Sequence, residues 1–171
     1  ISIYSYRKSF HLRNLIILLP AATVGIVFGY LWFSLLSEDN IRIFLGLLAI
    51  SFSLNYFFFS KDSKLADVSV TKGSFWGTIS GFTSFGIHAG GLPFNIYMLP
   101  QKLDHRVYVG TAAIFFGIVN LIKLYPYYLL DQLRIENITT ALFLFPFAPI
   151  GFYIGFKLTH KIDGDRFYGI T

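Results

Sequence analysis

Residues 15–36, LIILLPAATVGIVFGYLWFSLL, carry no charged side chain. At about 1.5 Å per residue, a helix over this run reaches across the ~30 Å hydrocarbon core of a bilayer. Similar apolar runs recur at roughly 41–59, 107–130 and 138–159. A chain built this way has few ways to fold. In lipid the backbone must satisfy its own polar groups, so each run becomes a helix. Only 13% of the residues are charged and 54% are hydrophobic, against about 25% charged in an ordinary soluble domain. The 20 Phe and 11 Tyr suit acyl chains and headgroup level respectively. The expected fold class is an all-α polytopic membrane protein. No cysteine is present, which excludes disulfides, thiolate metal sites and cysteine nucleophiles. The net charge of +5 sits in the short links between runs, where it orients the chain in the membrane and is no sign of nucleic-acid binding.

Residues 73–100 break the pattern. They are apolar but contain GIHAGGLPFN, a histidine and a glycine pair followed at once by Leu-Pro. Either this segment crosses once as an interrupted helix, or it turns back at His88–Gly91 and leaves on the side it entered. Arms of about 13 residues span about 20 Å, which is short for crossing and suits a re-entrant hairpin. The basic residues favour the hairpin. With the N-terminus inside, it keeps Arg7, Lys8, Arg13, Lys61, Lys64, Lys72, Lys102, Arg106, Lys157, Lys161 and Arg166 on the cytoplasmic side, leaving Arg42 and Arg134 outside. A single crossing would divide them almost evenly.

An internal repeat points the same way. Pro20, Gly25 and Gly29 have the spacing of Pro146, Gly151 and Gly155. With a re-entrant hairpin the two equivalent helices run in opposite directions, the inverted-repeat arrangement of secondary transporters. The domain reading follows. Residues 1–60 are the end of a first repeat with two transmembrane helices, and 61–72 a cytoplasmic linker. Residues 73–171 are a second repeat of re-entrant hairpin, two transmembrane helices and the start of a further helix. The chain opens on Ile and closes on DRFYGIT, like the opening of another helix, so a piece of a longer chain is expected.

The hairpin supplies the candidate site. Gly90 and Gly91 allow a sharp turn and close approach of a ligand. Pro93 suits the first turn of a new helix, whose free N–H groups and positive dipole end attract an anion. His88 is a candidate anion contact or proton carrier, or else simply bonds a carbonyl of the turn. Asn95 either contacts the ligand or ties the hairpin to the next helix. Ser80, Thr83 and Ser84 are expected to bond back to their own helix, and Gly77, Gly81 and Gly86 to allow tight packing. In the 107–130 run, Gly110 and Gly117 share a face with Asn120 near it, while Thr111 lies nearly opposite Asn120. Lys123 is expected to snorkel to headgroups, with a charge facing the substrate path as the sharper alternative. Tyr125, Tyr127, Tyr128 and Trp32 read as aromatic belts. No catalytic or metal-binding constellation and no P-loop is visible, so neither an enzyme nor ATP-driven transport is expected.

The stretch GFTSFGIHAGGLPFNIYMLPQKLDHRVYVGTAAIFFGIVNLIKLYPYYLLDQL resembles the sulfite exporter TauE/SafE family of membrane permeases. The likeness rests on the AGG-x-P turn, the VGT opening of the next helix, and N-x-x-K with a following Tyr. It implies internally duplicated halves moving small sulfur-containing anions such as sulfite or organosulfonates. Its hairpin motif falls on Gly90, Gly91 and Pro93, and its helix motif on Gly110, Thr111, Asn120 and Lys123. The expected substrate-binding set is therefore His88, Gly90, Gly91, Pro93, Asn95, Thr111 and Asn120. The expected partners are a small anion and the bilayer of the cell's inner (plasma) membrane, with proton coupling through His88 and homo-oligomerisation left open, and no cofactor. A non-transporting membrane assembly or scaffold subunit is the alternative.

Overall fold

The computed structural model describes residues 9–32, 65–132 and 141–161, with isolated positions between 39 and 54. The described residues are helical and turn, with no strand among them. In chain order they form α1 (Leu12–Leu31), α2 (Val70–Ile87), α3 (Gly91–Met98), a 3-10 turn (Leu99–Gln101), α4 (His105–Leu129) and α5 (Phe147–Lys161). α1 and α4 are long and apolar enough to cross a membrane. The helix expected at 41–59 lies largely outside the described residues, although the isolated described positions within it, such as Gly46, are helical. The further helix expected to open near the C-terminus also lies outside them. The chain divides into two compact units, 12–103, and 104–171 together with 1–11.

In the first unit, α1 and α2 pack along a seam of small residues. A Cβ added at Gly73 would meet Ile17 Cγ2 at 2.7 Å, and one at Gly77 would meet Ala21 Cβ at 3.0 Å. At Gly81 it would meet the backbone of Ala22, and at Gly25 the backbone of Thr78 and Phe82. Gly29 faces the Phe85 ring. Small residues let helices approach this closely, which suits association where lipid and side chain are equally apolar. The pairs climb together, from 17 against 73 to 29 against 85, so α1 and α2 run parallel.

α3 then returns along α2. The turn is fastened by the Ser80 hydroxyl, which donates to the Gly90 carbonyl at 2.7 Å. At the far end the Ala66 N–H donates to the Pro100 carbonyl at 3.0 Å. Residues 66–100 therefore form a helical hairpin whose two ends meet. The arms are unequal. α2 has 18 residues and α3 only 8, about 27 Å and 12 Å of helix, where equal arms were expected. α2 starts earlier because Ser69 caps it, its side chain accepting from the Lys72 N–H. It also carries past the level at which the chain turns back, since Gly90 lies against Ser80 and not against the helix end. Ser80 thus bonds across the turn and not within its own helix, whereas Thr83 donates to the Ile79 carbonyl as expected.

In the second unit, α4 begins at the N-cap Asp104, whose side chain accepts from the Arg106 N–H. α5 follows a helical turn at 141–144 and a break at 145–146. The two members of the sequence repeat sit in different settings. Pro20 lies inside α1, whereas Pro146 precedes α5. Gly25 and Gly29 are covered by α2, whereas among the described residues Cβ atoms at Gly151 and Gly155 would meet nothing within 4 Å.

These settings separate two substitutions of the same kind. Gly25→Leu drives a side chain into the α2 backbone and should cost about 3 kcal/mol or more. Gly151→Leu should leave the melting temperature of the detergent-solubilised protein within a few degrees of wild type. Equal melting temperatures for both variants would refute the α1–α2 seam.

Candidate functional site at the hairpin turn

The turn is built differently from the expectation that glycine supplies its unusual backbone. No described glycine has positive φ. The left-handed residue is His88 (φ 56°), the C-cap of α2, whose N–H donates to the Thr83 carbonyl. Histidine is among the residues more often found there. Gly90 has ordinary helical angles (φ −64°, ψ −14°). What it contributes is its missing side chain, because an added Cβ would lie 2.7 Å from the Ser80 carbonyl oxygen and 2.8 Å from Ser84 Cβ. Gly91 is the reverse case. Among the described residues a Cβ there meets nothing within 4 Å, so the first residue of α3 borders open space.

The N-terminus of α3 presents few donors. The Phe94 N–H donates to the Gly90 carbonyl at 3.3 Å, and Pro93 has no N–H. The amides of Gly90, Gly91 and Leu92 are left without an intrahelical acceptor. Pro93 is buried, Asn95 half-buried and His88 exposed. These five candidates, His88, Gly90, Gly91, Pro93 and Asn95, are brought together within eight residues of one turn. Their level along the first unit follows from the hairpin. Gly90 is level with Ser80, ten residues from the start of α2, or about 15 Å along its axis. That is half the length of α1.

Thr111 and Asn120 lie on α4, in the other unit. The Thr111 hydroxyl donates to the Val107 carbonyl and accepts from the His11 N–H at 2.9 Å. Its one proton is engaged, which removes it from the donors open to an anion. Asn120 is exposed, Gly110 buried and Gly117 half-buried. Lys123 corrects the snorkelling expectation, since it is only 2% exposed.

The sequence reading missed a second polar centre, at the base of the hairpin. Asn14, fully buried, donates from Nδ2 to Gln101 Oε1 at 2.8 Å, and the Tyr97 hydroxyl donates to Asn14 Oδ1 at 3.0 Å. Gln101 Nε2 in turn donates to the Tyr97 carbonyl at 3.1 Å. The three side chains clamp the start of α1 to the end of α3. Beside them is a cleft of about 330 Å³ lined by Asp67, Lys72, Trp76 and Tyr97 among others. It carries both signs of charge and lies at the opposite end of α3 from the turn.

The sequence model of the family described as Sulfite exporter TauE/SafE matches residues 1–171. The chain belongs to the TauE/SafE family. This is a family of membrane-integral transporters of sulfur anions, in keeping with the two spanning-length helices and with a function other than catalysis. Neither a curated protein nor a solved structure matches the chain.

The hairpin clamp and the turn can be probed separately. Asn14→Leu leaves Tyr97 and Gln101 with unmet buried groups and should destabilise the protein by about 1–3 kcal/mol. Gly90→Ala should destabilise it by a similar amount through overpacking. Gly91→Ala should melt like wild type. A Gly90→Ala protein as stable as Gly91→Ala would contradict the close approach to Ser80.

Proposed function

We propose that this TauE/SafE protein is a secondary transporter of small sulfur oxyanions, sulfite and organosulfonates, working by alternating access in the cell's inner membrane. The observation that carries the reading is the position of the α3 N-terminus. Amides of Gly90, Gly91 and Leu92 sit at about half the depth of a spanning helix, beside open space at Gly91. Helix N-termini bind anions through such amides and the dipole. In inverted-repeat transporters, interrupted helices place them at the midplane.

On this reading the hairpin is re-entrant. Its two ends meet at Ala66 and Pro100, and the clamp brings Asn14 to the same end. Arg13, Lys72 and Lys102 therefore belong to one end of this unit, the cytoplasmic one by charge. His88, exposed at the turn, contacts the anion or carries a coupled proton, and Asn95 supplies a side-chain amide. Inverted halves would provide a second, equivalent turn facing the first, and rocking of one half against the other would expose the anion to each side in turn.

The test is flux through proteoliposomes containing the complete chain. Sulfite or methanesulfonate loaded inside should leave at a rate well above that of empty liposomes. Gly91→Leu, which fills the open space without crowding the fold, should lower the initial rate about tenfold or more, equivalent to losing about 1.4 kcal/mol of anion stabilisation. Absence of flux for both anions from folded wild-type protein would favour the scaffold alternative.

A further inference from the structure

The cleft at the base of the hairpin lies wholly within the first unit and has no part in the turn. Both arms build its volume of about 330 Å³. Lys72 and Trp76 come from α2, four residues apart and so stacked one turn from each other on one face. Ile96, Tyr97 and Pro100 come from the returning arm. Ala66 and Asp67 close the cleft from the chain just before α2, where the Ala66 N–H donates to the Pro100 carbonyl at 3.0 Å.

The lining is graded along the hairpin axis. Asp67, beyond the start of α2, is exposed. Lys72, in the first turn, is exposed too. Trp76 lies about 6 Å further along the helix. It is half-buried, as is Ile96, and its ring packs edge-on against Phe75 with centroids 5.1 Å apart. The Tyr97 hydroxyl is engaged with Asn14, so Tyr97 gives the cleft its ring. Among the described residues no ion pair joins Asp67 to Lys72. From the base inward the cleft therefore presents a carboxylate, then an ammonium, then an apolar aromatic wall.

A phospholipid with an amine in its headgroup carries the complementary groups in the same order. From the water inward it has an ammonium, a phosphodiester, and then glycerol and acyl carbons. The residue types suit that level of a bilayer. Tryptophan sits among headgroups, and a lysine stem lies along apolar surface with its charge toward water.

We infer that this cleft binds the zwitterionic headgroup of an aminophospholipid, of phosphatidylethanolamine type. The Asp67 carboxylate accepts from the primary ammonium, a charge-assisted hydrogen bond. The Lys72 ammonium meets the phosphodiester, and Trp76 and Ile96 cover the first carbons below it. A headgroup without an amine leaves Asp67 facing like charge. The inference rests on the hairpin base lying at a bilayer surface, and not on anion transport.

Trp76 is itself the reporter. The experiment uses the complete protein in dodecyl maltoside micelles, with every other tryptophan, Trp32 among them, replaced by phenylalanine. Phosphatidylethanolamine or phosphatidylglycerol, dibrominated high on the acyl chains, is titrated in, and quenching gives an apparent affinity for each. Phosphatidylethanolamine should bind about threefold more tightly, the scale of one exposed charge pair. The basic residues of this end would by themselves gather the anionic lipid instead. Asp67→Asn should abolish the preference, and Lys72→Met should weaken both lipids about threefold. Both side chains are exposed, so neither change should disturb folding. Soluble phosphoethanolamine at millimolar concentration should leave the quenching unchanged. Equal wild-type affinities, or an Asp67→Asn protein that keeps the preference, overturn the inference. Displacement by soluble phosphoethanolamine overturns the assignment to a lipid.

Discussion

A chain that reverses direction among apolar helices must find partners for the amides and carbonyls that the reversal releases. The hairpin of residues 66–100 is organised by that need. Ser80 answers the Gly90 carbonyl, Thr83 answers the amides of His88 and Ala89, and the Ala66 amide answers Pro100. What stays open is a short row of N–H groups at the start of α3, where Pro93 has already deleted one donor.

Packing makes this arrangement rigid. Glycine every fourth residue in α2 would weaken an isolated helix, yet here it lets α1 approach backbone to backbone. The same closeness at Gly90 holds the turn down on Ser80. At the other end, Asn14, Tyr97 and Gln101 form a satisfied buried network, the kind that fixes a unique arrangement because each group would be costly alone. The turn is thus held from both ends. Alternating access on this plan would move whole helical bodies and leave the hairpin intact.

Much of this was legible in the sequence. Apolar runs located α1 and α4 to within a few residues, and the glycine pair followed by proline located the turn. Local spacing cannot say which residue takes the left-handed conformation, and His88 took it where glycine was the natural expectation. Lys123 misled for a related reason. Its distance from the helix end fits snorkelling, but the direction of a side chain depends on what packs around the helix. The Asn14–Tyr97–Gln101 clamp joins residues more than eighty positions apart, which no local pattern reveals. Its only trace was a polar residue at the head of an apolar run and another just after the hairpin.

The central claim is that residues 66–100 dip into the bilayer and return to the face they left. A chain without native cysteines makes this directly measurable by membrane-impermeant maleimide labelling of single-cysteine variants in sealed vesicles. Cysteines replacing Asp67 and Lys102 should react from one face, the cytoplasmic one, and a cysteine replacing Trp32 from the other. Reaction of positions 67 and 102 from opposite faces would contradict the account.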